Sequence, residues 1–328
     1  MARLRELIDP FLLLLLGTVA LASLLPARGD GARIADAVAD AGIVLLFFLH
    51  GAKLSRAAIW DGAKAWRLHL AVLATTFAVF PLLGLASQQI GAVPDGMRAG
   101  LLFLTLLPST VQSSIAFTAI ARGNVAAAVV SASFSNLLGI VLTPLLVALL
   151  MQRTSSGSLI SLASVEGIVL QLLLPFLIGH LARPWIGGFV ARHKAMIGRV
   201  DRGSILLVVY AAFSAAVVEG LWQTVSAGEM ALLAGLCVAL LAVVLCFTWG
   251  LGRMMGLARA ERIVLVFCGS KKSLATGVPM AGLLFPASSV GAILLPVMLF
   301  HQIQLMACAV LARRYGAQVD KADTELDI

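Results

Sequence analysis

Long apolar runs separated by short polar segments dominate the chain. A membrane-spanning helix needs about 20 mostly apolar residues to cross a hydrocarbon core about 30 Å thick, and ten stretches of the chain approach this pattern. We predict the spans at residues 10–25, 34–50, 66–90, 97–121, 125–151, 165–182, 202–219, 229–252, 262–285 and 288–312. The pattern therefore predicts an all-α membrane protein of ten transmembrane helices with short connections.

Composition and charge support this prediction. Hydrophobic residues make up 60% of the 328 residues and charged residues only 12%, whereas a soluble domain carries about 25% charged residues. The net charge of +8 is spread over the short segments between spans. A nucleic-acid-binding protein would concentrate it on one face of a soluble fold, so we expect membrane lipid and no nucleic acid as partners.

The basic residues also predict the orientation in the membrane. With the N-terminus in the cytoplasm, 18 of the 24 Lys and Arg residues fall in inside segments, four fall in outside segments and two lie within a span. This bias predicts a multi-pass membrane protein with both termini cytoplasmic. The alternative is that the first span is a cleaved signal peptide, but its removal would leave nine spans.

Five spans in each half imply that the second half enters the membrane upside down relative to the first. This is the inverted-repeat arrangement of many secondary transporters. Both halves also contain an interrupted span: Pro108-Ser-Thr-Val-Gln-Ser-Ser114 in the fourth and Gly269-Ser-Lys-Lys-Ser273 in the ninth. A backbone can open within the membrane only where protein or a watery cavity surrounds it. Paired interruptions therefore indicate a binding site where the two broken helices cross.

Two lysines in the ninth span are the most costly residues of the predicted membrane region. A charge at the depth of Lys271 and Lys272 costs at least about 2.5–3.5 kcal/mol on insertion scales. No acidic residue lies near the middle of a span. The remaining partners are helix C-terminal carbonyls, side-chain oxygens and an anionic substrate. His301 lies at a similar depth in the tenth span and is a further candidate because buried ionisable groups are functional by default. The candidates in the two interruptions are Pro108, Thr110, Gln112, Ser113, Ser114, Ser270, Lys271, Lys272 and Ser273.

Three stretches of the sequence resemble the bile acid:sodium symporter superfamily, and its divergent bacterial branch in particular. They are Thr-Thr-Phe-Ala-Val-Phe-Pro at 75–81, Leu-Pro-Ser-Thr-Val-Gln-Ser-Ser at 107–114 with Ala-Arg-Gly-Asn at 121–124, and Phe-Cys-Gly-Ser-Lys-Lys-Ser-Leu-Ala-Thr-Gly-Val-Pro at 267–279. The branch is related to the orphan animal member of the bile acid carriers, and the resemblance implies a location in the bacterial inner (plasma) membrane. The resemblance implies a panel domain (residues 1–65 and 152–228), a core domain (66–151 and 229–312) and a cytoplasmic tail (313–328). Substrate would bind between panel and core, and relative movement of the two domains would give alternating access.

The resemblance also implies positions for sodium ligands. The family's hydroxyls in the fourth-span crossover correspond to Ser113 and Ser114, and Thr76 stands in place of a third-span glutamine. The fifth span offers further polar groups at Ser131, Ser135 and Asn136. The family's ninth-span Glu and Gln are absent, with Phe267 or Cys268 near the first position and Lys271 at the second.

Because hard cations require oxygen ligands and compensating charge, the coupling ion stays open between sodium and a proton. We expect no cofactor except, in the first case, the sodium ion. Our hypothesis is that one lysine, preferably Lys272, takes the place of the sodium ion at the half-helix C-termini. Its ammonium would contact Ser113, Ser114 and Asn136, and Lys271 would be the more exposed to substrate.

The preferred function is therefore secondary transport of a small organic anion. An intramembrane enzyme would need a nucleophile–base pair, an HExxH motif or paired carboxylates, and none of these lies within a span, so we expect no catalytic residues. The alternative is an ion channel or a cation exchanger of related architecture, which would use rings of charge, carbonyls or buried aspartates. The sequence leaves the substrate and the oligomeric state open.

Overall fold

The computed structural model describes residues 10–53, 65–91, 93–151 and 162–326, and these residues form helices joined by short turns. Arg3, Arg5, Arg56, Lys64 and Arg153, which enter the charge argument, lie outside the described residues. The helices are α1 (Pro10–Leu24), α2 (Asp30–Lys53), α3 (Trp66–Ser87), α4 (Asp95–Leu106), α5 (Gln112–Ile120), α6 (Val125–Met151), α7 (Leu162–Arg192), α8 (Lys194–Val218), α9 (Leu221–Thr224), α10 (Ala227–Met254), α11 (Arg259–Gly269), α12 (Leu274–Leu284) and α13 (Ala287–Leu326).

Six of these helices are long and apolar enough to cross a membrane: α3, α6, α7 over Leu170–Arg192, α8, α10 and α13 over Ala287–Gln318. The chain is therefore a multi-pass membrane protein. The count of ten spans stays a prediction, because α1 is short and the fourth and ninth predicted spans are each divided into two short helices.

Two helices run beyond the apolar stretches that predict the spans. The segment between the sixth and seventh predicted spans is helical except at His193, and α13 continues through the predicted tail to Leu326. A helix can extend past the residues that cross the membrane, so the predicted spans and domain bounds stay predictions.

The helices α1, α2, α7 and α8 pack against one another, with α2 between α7 and α8. Two glycines let α2 and α7 approach closely: a Cβ on Gly51 would lie 1.9 Å from the carbonyl oxygen of Phe176, and one on Gly179 would lie 1.9 Å from that of Phe48. Small residues at such contacts are typical of helix packing in membranes. A salt bridge between Lys53 of α2 and Asp201 of α8 adds a polar contact.

The remaining long helices form a second packed group. Helix α4 packs on α3 and α13, and α11 packs on α3, α5, α6 and α10. The two groups meet where α8 packs on α12 and α13. Inside the second group, Pro108 packs closely against Gly139 of α6. A Cβ on Gly139 would lie 2.7 Å from the proline ring, so a larger residue would not fit there.

The two predicted interruptions are present. Helix α4 ends at Leu106 and α5 begins at Gln112, while α11 ends at Gly269 and α12 begins at Leu274. The residue after α4, Leu107, is extended with φ −72° and ψ 154°, which is the conformation that a following proline favours. We call residues 107–111 the first break and residues 270–273 the second break.

Candidate functional site

The two breaks lie against each other, and the first supplies donors to the end of α11. The hydroxyl of Ser109 donates to the carbonyl oxygen of Cys268 at 2.6 Å. The hydroxyl of Ser114, in the first turn of α5, donates to that of Phe267 at 2.9 Å. The last carbonyls of a helix have no partner within the helix. Serines from the first half of the chain therefore satisfy carbonyls in the second half.

Lys272 makes the opposite connection. Its side chain is 1% exposed, and its Nζ donates to the carbonyl oxygens of Thr76 at 2.8 Å, Thr105 at 2.8 Å and Leu107 at 2.7 Å. The Nζ also lies 4.1 Å from the centroid of the Phe80 ring. An ammonium group has three N–H donors, so the three carbonyls use all of them.

The Thr76 carbonyl is available because α3 contains a π-helical segment, Thr75–Val79. The N–H of Phe80 donates to the carbonyl of Thr75, five residues back, and not to that of Thr76, as it would in an α-helix. In the same π pattern the next donor to Thr76 would be Pro81, which has no N–H. The π segment and the proline together leave the Thr76 carbonyl oxygen for Lys272.

The Thr105 carbonyl is available because α4 ends. In a continuing helix it would accept from the N–H of Ser109, but that N–H donates to the hydroxyl of Ser135 at 2.9 Å. The C-terminus of a helix carries a partial negative charge, which a nearby cation stabilises. The ammonium of Lys272 therefore lies where the backbone of α4 presents negative potential.

In each break, the backbone N–H and carbonyl of one residue are both hydrogen-bonded by the second helix that follows the break. In the first break, the N–H of Ser109 donates to Ser135 and its carbonyl accepts from the Asn136 amide at 2.6 Å, both on α6. In the second, the N–H of Lys272 donates to the Gln304 side-chain oxygen at 2.9 Å and its carbonyl accepts from the Gln304 amide at 2.8 Å. Gln304 lies on α13, so α6 and α13 have equivalent roles.

A third set of contacts links the start of α12 to both breaks. The N–H of Ser273 donates to the carbonyl oxygen of Pro108 at 2.9 Å, and its hydroxyl accepts from the N–H of Thr276 at 3.2 Å as the helix N-cap. The hydroxyl of Thr276 donates to Asn136 at 2.8 Å. Asn136 therefore connects α6, the first break and α12.

Lys271 has a different environment. Its side chain is 0% exposed, and its Nζ lies 4.0 Å from the centroid of the Phe117 ring and 5.4 Å from that of Phe267. Within the described residues, this Nζ has no hydrogen-bond partner. The expectation that Lys271 is the more exposed lysine is therefore wrong, because the side chain turns into an aromatic pocket beside α5 and α11.

The expected hydroxyl partners of the ammonium are also wrong. Ser114 donates to Phe267, as described above, and the hydroxyl of Ser113 donates to that of Thr110 at 3.3 Å. Gln112 is exposed on the first turn of α5. Because α5 begins at Gln112, these side chains belong to a helix, and the described hydrogen-bond partners of the Lys272 ammonium are backbone carbonyls.

Three further candidates lie at different distances from the breaks. Ser131 is buried with its hydroxyl 2.7 Å from the Nδ1 of His69, one turn of α6 before Ser135. Ser270 donates to a carbonyl of its own helix. His301 contacts the site indirectly, because its Nδ1 lies 3.0 Å from the amide nitrogen of Gln304.

Residues that the sequence prediction missed complete the arrangement. Ser109 lies within the polar stretch already identified at the first break. Gln304 is an amide three residues beyond His301, and its depth in the tenth span was a usable signal. The carbonyls of Thr105 and Leu107 carry no such signal, because backbone groups are present at every residue.

Sodium fits this arrangement poorly. The oxygens of Thr76, Thr105 and Leu107 already accept from Lys272, and none of the described contacts of the two breaks involves a carboxylate. A sodium site would require oxygen ligands and compensating negative charge. The geometry instead suits a fixed ammonium group.

Comparison with known proteins gives a consistent result. The chain matches the SBF-like CPA transporter family over residues 9–317. It is 52% identical over 325 residues to the Escherichia coli (strain K12) protein named "Putative symporter YfeH", which covers 98% of this chain and 97% of that protein. It is 54% identical over 329 residues to the Pseudomonas aeruginosa protein named "Uncharacterized protein PA2026", which covers 99% of this chain and 98% of that protein.

A more distant relative comes from animals. The rat protein named "Sodium/bile acid cotransporter 7" is 26% identical over 277 residues, covering 82% of this chain and 80% of the rat protein. The bacterial match is high and nearly complete, the family match spans most of the chain, and the helix breaks lie where the resemblance implies. The chain belongs to the SBF-like CPA transporter family.

Proposed function

We propose that the protein is a secondary active transporter that moves a small organic anion across the bacterial inner membrane by alternating access. The observation that carries the proposal is the position of Lys272. Its ammonium binds three backbone carbonyls where the two broken helices meet. Paired broken helices of this kind form the substrate and ion sites of many transporters.

The proposed architecture is ten spans in two inverted halves, with both termini in the cytoplasm. The equivalent roles of α6 and α13 support the repeat, because each helix follows a broken span and binds one residue of its break on both sides. The mutual packing of α1, α2, α7 and α8 supports a panel built from residues 1–65 and 152–228. Residues 66–151 and 229–312 would form the core, and residues 313–328 the cytoplasmic end of the chain.

An anionic substrate is the choice that the charges favour. Two lysines are buried at the breaks, and their described contacts include no carboxylate. Lys271 has no hydrogen-bond partner for its Nζ within the described residues, and an anion could supply one in another state of the transport cycle. The rat relative is named as a bile acid cotransporter, and bile acids are amphipathic organic anions.

Coupling is proposed to use no sodium at the breaks. Lys272 already provides the positive charge that a sodium ion would bring to the carbonyls of Thr76, Thr105 and Leu107. Lys271 is the group whose amine could take up and release a proton without breaking a hydrogen bond to the protein. Sodium coupling would require a site elsewhere.

Counterflow in proteoliposomes tests this proposal. Vesicles are loaded with an unlabelled organic anion, cholate first and then a panel of carboxylates and sulfonates, and uptake of the labelled anion is followed. Sodium and pH are varied independently. A carrier gives saturable uptake that internal anion accelerates, and we expect this uptake to be unchanged when potassium replaces sodium.

Two results would refute the proposal. Unitary conductance steps without counterflow would indicate a channel. Full uptake by the protein carrying both Lys271→Gln and Lys272→Gln would exclude a role for the two lysines.

A further inference from the structure

A basic cleft lies at the C-terminal end of α10. It encloses about 160 Å³ between α10, α11 and α13. Its lining residues are Trp249, Arg253, Arg259, Arg262, Ile263, Val266, Tyr315 and Gln318. Sites for drug-sized ligands usually enclose about 300–1,000 Å³, so the cleft suits one small charged group.

The three arginines of the cleft are oriented by neutral partners. The guanidinium of Arg259 donates to the carbonyl oxygen of Tyr315 at 2.6 Å. That of Arg253 lies 4.2 Å from the centroid of the Trp249 ring. A guanidinium has five N–H donors, so each of these arginines keeps donors for a ligand.

The third arginine, Arg262, is held by packing. Its Cγ would lie 3.0 Å from a Cβ on Gly252, so the absence of a side chain there makes room for the arginine stem. Throughout the part of the chain that the structure describes, none of the three arginines forms an ion pair with a carboxylate, although Glu261 precedes Arg262 in sequence. Among the described side chains, the cleft therefore gathers positive charge without a carboxylate paired to it.

The length of α10 places this charge at the level of the lipid headgroups. Helix α10 has 28 residues, which at 1.5 Å per residue span about 42 Å, more than the hydrocarbon core of about 30 Å. Arg253 lies in its last turn, and the bias of basic residues predicts that this end is cytoplasmic. Trp249 is an aromatic residue of the kind enriched at the membrane interface.

Helix α10 also exposes large apolar side chains around its surface. Its exposed side chains include Val238, Val243, Phe247 and Trp249. Large apolar side chains that are exposed on a membrane-spanning helix contact lipid acyl chains. A lipid whose chains lie along α10 would therefore bring its headgroup to the three arginines.

We propose that this cleft is a binding site for the phosphate headgroup of an anionic phospholipid of the cytoplasmic leaflet. Planar guanidinium groups bind phosphate oxygens in bidentate geometry, and basic pockets between membrane helices on the cytoplasmic side are known headgroup sites. The bound lipid joins α10, α11 and α13, and so stabilises the arrangement in which α11 reaches the second break.

The test uses purified full-length protein in a neutral detergent with phosphatidylglycerol as the probe and phosphatidylcholine as the zwitterionic comparison. The readouts are the thermal unfolding midpoint and the number of bound lipids by native mass spectrometry. At a phosphatidylglycerol concentration about 100 times Kd we expect the midpoint to rise by about 5 °C. Phosphatidylcholine should produce a much smaller rise.

Two sets of substitutions locate the effect. In the variant Arg253→Gln/Arg259→Gln/Arg262→Gln, phosphatidylglycerol should no longer raise the unfolding midpoint. The control Arg192→Gln/Lys194→Gln/Arg199→Gln removes the same charge from exposed positions on the same predicted side. In this control, phosphatidylglycerol should still raise the midpoint. If the first variant does not fold, Arg253→Gln alone removes an exposed guanidinium at the helix end and should reduce phosphatidylglycerol binding several-fold.

Two outcomes would overturn the proposal. If the rise in midpoint is lost equally in both triple variants, phosphatidylglycerol binds to general surface charge and not to this cleft. A rise produced equally by soluble glycerol phosphate would indicate a site for a free anion, since the proposed lipid site needs the acyl chains along α10.

Discussion

Lys272 and Leu107 connect the two helix breaks: the Nζ of Lys272 lies 2.7 Å from the carbonyl oxygen of Leu107, 165 residues earlier in the chain. The connection is reciprocal, because Ser109 of the first break donates to Cys268 at the end of α11. Each half of the chain therefore satisfies backbone carbonyls that the other half leaves open. Removing either connection should therefore destabilise both halves of the chain.

Replacing Lys272 by Met should strongly destabilise the protein. The substitution keeps most of the side-chain volume but leaves three buried carbonyls without a donor, at a cost of about 1–3 kcal/mol each. We expect the free energy of unfolding to fall by at least about 3 kcal/mol, measured by denaturant unfolding in detergent. Lys271→Met is the matched control and should lose little or gain stability, because the Nζ of Lys271 has no hydrogen-bond partner among the described residues. Equal losses of unfolding free energy in the two variants would contradict the role of Lys272 as the donor to the three carbonyls.

Replacing Gln304 by Leu should disturb the second break. The change removes both hydrogen bonds to the backbone of Lys272, and we expect the protein to lose about 2 kcal/mol of stability. Gln302→Leu is the control on the same helix. The buried side-chain oxygen of Gln302 has no hydrogen-bond partner within the described residues. The Gln302→Leu substitution should therefore leave the free energy of unfolding unchanged or raise it. A larger loss for Gln302→Leu than for Gln304→Leu would refute the role given to Gln304.

Replacing Gly51 by Ala should push α2 away from α7. The added methyl group would lie 1.9 Å from the carbonyl oxygen of Phe176, and overpacking of this kind costs about 1–3 kcal/mol. Gly188→Ala on α7 is the control, because a Cβ there has no heavy atom within 4 Å. The thermal unfolding midpoint should fall only for Gly51→Ala. Equal midpoints for the two variants would show that the close approach of α2 and α7 is dispensable.

Reporter fusions test the predicted orientation. Of the 24 Lys and Arg residues, 18 lie on the side assigned to the cytoplasm, which follows the positive-inside rule. A reporter fused at Gly157 should read outside and one fused at Ala195 should read inside. If both fusions report the same side, the ten-span topology is wrong.

The positions of the breaks could be predicted from the sequence, because proline, glycine and serine are rare together in the middle of apolar spans. Since no acid lay near the lysines, the sequence left helix C-terminal carbonyls, side-chain oxygens and an anionic substrate as their possible partners. It could not identify which carbonyls, because Thr76 becomes available only through the π segment and Pro81. Two adjacent lysines offer no pattern that separates them, and the aromatic pocket around Lys271 forms only when α5 packs on α11.

The helix ends differ from the ends of the predicted spans for another reason. The apolar runs indicate only the part of a helix that crosses the membrane, and α13 continues beyond its apolar run to Leu326. The role of Gln304 was missed because one amide in a long apolar helix does not reveal which backbone group it faces.

The dependence of thermal stability on sodium tests most directly whether Lys272 replaces a sodium ion. Unfolding midpoints of the unmodified protein and of Lys272→Ala are measured in sodium chloride and in potassium chloride at equal ionic strength. We predict the same midpoint in both salts for the unmodified protein. For Lys272→Ala we predict a lower midpoint that sodium partly restores, because the carbonyls of Thr76, Thr105 and Leu107 are then open to a small cation. A sodium-dependent rise in the unmodified protein, or a Lys272→Ala variant that unfolds at the unmodified temperature in both salts, would contradict the account.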